Sequence, residues 1–290
     1  MKYIISFICL SFLSCTEPET NDKIAPATDL AHIDIILDSA TWAAIRSDSF
    51  MQTQFAVMNN DTAVYSGKKS YDIYLLGQLN FLHLSQAKDF WHNRAGGGAL
   101  VFQSQKPDSK DSLLASWKHF YSDSLEMITY HGSDFTLYEI IAAYDSTKPK
   151  KPEMFADLTS YSADAYKNWG ITDSIINEGV ALKQFMSDWG GKELENKLFN
   201  SITELYITIN QKEFTEIRSA LLATGYKEEN NKFSHRNNPT VFITTTEEKE
   251  ESKYSKIKFS LTHSVETKEI VFSPFLTLKL NGSEAEFLIN

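Results

Sequence analysis

The feature that most constrains this chain is a repeated strand–helix pattern. His32-Ile33-Asp34-Ile35-Ile36-Leu37 sets Ile33, Ile35 and Leu37 on one face and His32, Asp34 and Ile36 on the other, and Glu204-Leu205-Tyr206-Ile207-Thr208-Ile209 aligns on it without a gap. Strand side chains alternate between faces, so each run presents one apolar face fit to pack under a helix. In the first run Asp38 or Ser39 caps the helix that follows, which carries Trp42 and Ile45 on one side. In the second, Asn210 stands at the place of Asp38, Glu213 lies three residues on as in a capping box, and Phe214 and Ile217 fall where Trp42 and Ile45 stand. A chain built this way sets sheets against helices, an α/β (α+β) fold.

The rest of the chain extends the pattern. Strands are expected at Thr62 to Tyr65, Tyr71 to Leu76 and Leu79 to Ser85, the last two joined as a hairpin by Gly77-Gln78. After Gly96-Gly97-Gly98 a new strand, Ala99 to Phe102, leads through Asp108 or Ser109 into a helix with Leu113, Leu114, Trp117 and Phe120. Strands at Leu125 to Tyr130 and Phe135 to Tyr144 follow. The run at Glu204 thus opens a third unit, which adds Thr240 to Thr245, Lys256 to Thr262, Ile270 to Leu280 and Glu284 to Ile289, with the charged run Glu247 to Ser252 as a solvated loop. Between the second and third units, Thr172 to Ser187 reads as a helix stopped by Gly190-Gly191, with a shorter one over Lys192 to Asn200. This insert either covers a site or joins two domains.

The N-terminus carries an address. Lys2, the apolar run Tyr3 to Leu13 and then Ser14-Cys15 are the parts of a secretory signal. With a Cys at the break it resembles a bacterial lipoprotein signal, cleaved before Cys15 and acylated on its thiol, although Phe12 stands where Leu is usual. Thr16 after the Cys resembles lipoproteins sent to the outer membrane. The polar stretch 16–30, with Pro18 and Pro26, reads as a flexible tether reaching up to about 50 Å. Cys9 leaves with the signal, so the mature chain has no thiol left for disulfides, Cys–metal clusters or cysteine nucleophiles. Acids outnumber bases 38 to 28, a net charge of −10 that repels phosphate backbones and sets nucleic acid aside as a partner. The expected divisions are 1–15 signal, 16–30 tether, 31–145 paired units, 146–200 linker and helical insert, and 201–290 a third βαβββ-like unit.

Tandem strand–helix–three-strand units resemble the vicinal oxygen chelate superfamily of glyoxalases, extradiol dioxygenases and bleomycin-resistance proteins. More closely, the mature chain is similar to a family of glyoxalase-like bacterial lipoproteins. The landmarks are His32-Ile33-Asp34, the Gly77 hairpin into Phe81-Leu82-His83, and the ending from Phe272-Ser273 to Glu286-Phe287-Leu288-Ile289. The resemblance implies curved mixed sheets around a ligand cavity, with metal ligands on the first and last strands of each unit. Those positions fall on His32, His83 and Glu139. The remaining one falls near Gly98 or Ala99, which offer no donor.

The residues make a case of their own. His32, Asp34 and Ile36 share one strand face, as do Phe81, His83 and Ser85. Two histidines and a carboxylate with open positions suit one divalent ion, ferrous iron, zinc or manganese. Asp34 is a reserve ligand or the partner that orients an imidazole. The plainer alternative is that His32 and His83 are hydrogen-bonded strand residues and that Glu139 faces solvent. Other chemistries have less support. Gly96-Gly97-Gly98 lacks a phosphate-binding lysine pattern, His131 and His263 lack a serine elbow, and His119 lies beside a core-packing Trp117. The expectation is a lipid-anchored envelope protein binding a small molecule. A metal-dependent lyase, isomerase or dioxygenase is one alternative, and a structural or protein-binding component using 204–290 is another.

Overall fold

The computed structural model describes residues 27–65, 68–87, 94–120, 125–131, 134–142, 152–247 and 251–290. The signal, Cys15 and all but the end of the expected tether lie outside these residues. The architecture is α+β, with two mixed sheets.

The first sheet contains two successive strand–helix–three-strand runs. One is β1 (Thr28–Leu37), α1 (Ser39–Ser47), β2 (Val57–Tyr65), β3 (Lys68–Leu76) and β4 (Phe81–Gln86). The other is β5 (Gly98–Ser104), α2 (Lys110–Phe120), β6 (Glu126–His131), β7 (Thr136–Ala142) and β8 (Met154–Tyr161). Strand order is β2-β3-β4-β1-β5-β8-β7-β6, so the first strands of the two runs meet at the centre, antiparallel, and each lies parallel to the last strand of its own run. Asp38 caps α1 by accepting from the Ala40 and Thr41 amides, as its place before the apolar periodicity requires.

The insert follows as α3 (Ala163–Asn168), α4 (Asp173–Glu178), α5 (Leu182–Gly190) and a 3-10 turn over Gly191–Asn196. Two expectations change here. The segment 146–200 holds the strand β8, not only linker and helices, and the helix expected over 172–187 is broken at Gly179, whose φ of 109° a helix cannot continue through. The insert packs Tyr166, Ile176, Phe185 and Met186 on Val57, Leu76 and Phe81, covering one face of the first sheet.

The second sheet holds β9 (Phe199–Asn210), α6 (Gln211–Ala223) packed beside it, β10 (Lys227–Glu229), β11 (Lys232–Ser234), β12 (Thr240–Thr246), β13 (Lys253–Val271) and β14 (Leu276–Ile289). Its order is β10-β11-β12-β9-β13-β14, with β12 parallel to β9 as β4 is to β1. The strand expected over 270–280 crosses the turn between β13 and β14, and β10 and β11 were not foreseen. Asn210 caps α6, but Glu213 does not close a capping box. Its carboxylate reaches instead to the Glu153 and Met154 amides, tying β8 to the third run.

One core joins the sheets. Ile33, Ile35 and Leu84 of the first pack with Trp117 of α2, Ile217 of α6, and Leu205, Phe259 and Phe287 of the second. The apolar residues of β1 thus face this core, and His32 and Asp34 face the other way. Truncating a residue as enclosed as Trp117, 1% exposed, costs about 3–5 kcal/mol. No helix among the described residues is long and apolar enough to cross a membrane.

Candidate metal centre

The parallel pairing of β1 with β4 builds the site. Its register sets Asp34 beside His83 and His32 beside Phe81. On the next strand Tyr74 stands beside His83, and on the other flank Asp34 lies opposite Ala99 of β5. All of these side chains project from the sheet face that the insert covers.

Asp34 sits between the two imidazoles. Its Oδ1 is 2.8 Å from His83 Nδ1 and 3.4 Å from His32 Nε2. The other side of His83 faces Asp72, with Nε2 3.4 Å from Asp72 Oδ1 and 3.3 Å from Ser85 Oγ, while the Ser85 hydroxyl donates to Asp72 at 2.8 Å. His32 Nδ1 is buried with no hydrogen-bond partner. Each imidazole lies on an aromatic ring. His32 stacks on Phe81 at 4.1 Å and His83 on Tyr74 at 4.6 Å, with Trp189 of α5 packed edge-on against both aromatic rings at 4.8 and 5.5 Å.

Burial and charge set the protonation. Burial alone would push His83 down, but the Asp34 carboxylate, and then Asp72, raise it to about 10, so it is an imidazolium at neutral pH. Burial opposes ionisation of Asp34, yet the His83 charge and the bonds from both imidazoles hold it well below the usual carboxylate range. His32 is lowered by burial, only partly offset by Asp34, and is neutral.

The donors suit a transition metal. His32, Asp34 and His83 each offer one ligand atom, all within 4.8 Å of one another. Bonds of about 2.0–2.2 Å place donors about 3.0–3.4 Å apart around an ion. The two spacings to Asp34 already lie close to that range, and the third is within 4.8 Å. Side chains 19%, 14% and 9% exposed for His32, Asp34 and His83 leave the centre partly open to water or a ligand.

The structure brings together His32, His83 and Asp34 but not Glu139. That residue shares a strand face with Ile141, which packs in the core, and its carboxylate is held by Lys110 of α2. The carboxylate beside the two imidazoles is that of Asp34. Ala99, as expected, gives no side-chain donor, and its carbonyl accepts from the Tyr254 hydroxyl at 2.7 Å. In the third run the places of Asp34 and His83 are taken by Tyr206 and Phe242, stacked at 4.6 Å, so among the described residues no equivalent donor set stands there. Sequence reasoning missed Asp72, Tyr74 and Trp189. The Gly77 hairpin carried the signal for the first two, since alternation along β3 sets Asp72 and Tyr74 on the face of Ser85 and His83.

Among curated proteins no match to the chain is found. The profile of one family covers residues 30–288, from the third residue of β1 to the penultimate residue of β14. By that match the chain belongs to DUF5829, a family of unknown function.

Proposed function

We propose that this protein is a lipid-anchored component of the bacterial envelope that binds one divalent transition-metal ion on His32, Asp34 and His83, and a small molecule at that ion. The observation that carries the reading is the convergence of two imidazoles and a carboxylate on one partly open sheet face, with a further buried carboxylate behind one imidazole. The strand order supports the resemblance to the vicinal oxygen chelate superfamily, since two strand–helix–three-strand runs meet through their first strands. This chain departs from that pattern in drawing all three donors from the first run.

When bound, the ion would act as a Lewis acid toward a carbonyl or enediolate oxygen. The chain's own residues do the rest. Asp34 and the two imidazoles fix the ion's position, and the Phe81 and Tyr74 rings hold the imidazole planes. Trp189 restricts water at the rim, and the run of Ala99, Val101 and Phe155 on β5 and β8 supplies an apolar wall beside the donors. Lyase, isomerase and dioxygenase chemistry would all use such a centre.

Equilibrium dialysis of the signal-free chain against Fe(II), Zn(II) and Mn(II) tests the reading. About one equivalent bound, lost in both His32→Ala and His83→Ala, supports it. Background binding by a folded sample refutes it. For the address, Cys15→Ser should release the full-length protein from the membrane fraction, and retention there would refute the lipid anchor.

A further inference from the structure

We propose that Asp72, held by Ser85, is the positioning residue that decides which nitrogen of His83 meets the ion. The inference rests on the metal reading above and deepens it.

An imidazole offers two nitrogens, and a strand histidine with free χ angles can present either one. His83 is not free. Nε2 faces two oxygens, Asp72 Oδ1 at 3.4 Å and Ser85 Oγ at 3.3 Å. The Ser85 hydroxyl proton is already directed to Asp72 Oδ1 at 2.8 Å, so both oxygens present lone pairs to Nε2. That arrangement accepts an N–H and rejects a lone pair. Nε2 therefore keeps its hydrogen, and Nδ1, on the side of Asp34 and His32, is the nitrogen left to give a lone pair to a metal. Tyr74, stacked within 5° of parallel, holds the ring against a flip. The Asp72 side chain is wholly buried, on the strand beyond the one that carries His83, where it serves the ligand without reaching the ion. A carboxylate behind a ligating histidine fixes its tautomer and strengthens it as a donor.

The two histidines are thus unequal. His32, with Nδ1 buried and partnerless, has no such anchor. His83 is the fixed ligand and His32 the one that adjusts.

The experiment uses histidine-¹⁵N-labelled protein in two stages. In the metal-free wild type, a slowly exchanging Nε2–H resonance is expected for His83, lost in Asp72→Ala and retained in Asp72→Asn, which keeps an acceptor oxygen. On Co(II) addition, Asp72→Ala should bind about 10–100-fold more weakly and show altered visible bands. Asp72→Asn should recover most of the affinity and the wild-type band shape. Ser85→Ala, the milder change should Asp72→Ala not fold, should lose part of the protection and part of the affinity. An Asp72→Ala protein with wild-type protection, affinity and spectrum would overturn the proposal, as would a wild type with no protected Nε2–H. Failure of the wild type to bind Co(II) would refute the metal reading and with it any role toward an ion, whereas loss of Nε2–H protection in Asp72→Ala would still show that Asp72 orients His83.

Discussion

Metal uptake at this centre should release one proton, and its affinity should climb with pH. In the metal-free protein His83 carries a proton on each nitrogen and titrates at about 10, whereas His32 is already neutral and Asp34 already ionised at neutral pH. An ion that takes Nδ1 must displace that proton, while Nε2–H stays on Asp72. At pH 7 this costs about 4 kcal/mol, three pH units at about 1.4 kcal/mol each. The sign follows directly. The proton competes with the metal, so affinity is weakest at low pH, rises about tenfold per pH unit, and levels off only near pH 10. From pH 6.5 to 8.0 the dissociation constant for Zn(II) should fall about 30-fold. Calorimetric titrations in buffers of different ionisation enthalpy count the protons, and about one per ion is expected. An affinity flat within about threefold over that range, or a count near zero, would show that His83 is neutral before the ion arrives, and the reasoning from Asp34 and Asp72 would fail.

Three further outcomes follow from the same geometry. Without metal, His83 has its pKa raised from 6.5 to about 10, so its contribution to stability is complete below pH 6.5 and is lost as pH rises through about 10. The melting-temperature advantage of wild type over Asp34→Asn should shrink from pH 7 to pH 10, and a constant advantage would contradict this. Gly98→Ala would put a Cβ 1.9 Å from the Asp34 carbonyl oxygen, forcing β5 away from β1. It should cost about 1–3 kcal/mol or more by denaturant unfolding and weaken metal binding, and an unchanged unfolding midpoint would refute the close approach. Glu139→Gln should leave metal affinity within about twofold by the same dialysis, because its carboxylate serves Lys110; a tenfold loss would return Glu139 to the ligand set.

Much of this was legible in the residues. The alternation in His32 to Leu37 and in Phe81 to Ser85 foretold which faces turn inward, and Asp38 and Asn210 marked the helix starts. Long-range pairing was the harder part. That Asp34 reaches both imidazoles depends on β1 lying parallel to β4, a neighbour brought in from 49 residues away that no local pattern reveals. Glu139 misled because apolar residues flank it on both sides, leaving its face ambiguous until α2 brings Lys110 to it. β8 has no legible pattern because it lies inside the sheet, between β5 and β7, and is buried on both faces. Its sequence Met-Phe-Ala-Asp-Leu-Thr-Ser-Tyr therefore shows no alternation, and Pro152 stands just before it. Glu213 looked like a capping-box acid because the spacing was right, but two backbone amides of the β8 approach compete for its carboxylate.

The most direct test of the central claim is an anomalous-difference map from crystals of the Zn(II)-loaded chain at the zinc edge. One peak is expected about 2.0–2.2 Å from His32 Nε2, an Asp34 oxygen and His83 Nδ1, with Asp72 still on His83 Nε2. A peak elsewhere, or none in crystals where Asp34 remains bonded to a doubly protonated His83, would contradict it and leave the cluster as a buried polar network that orders β1 against β4.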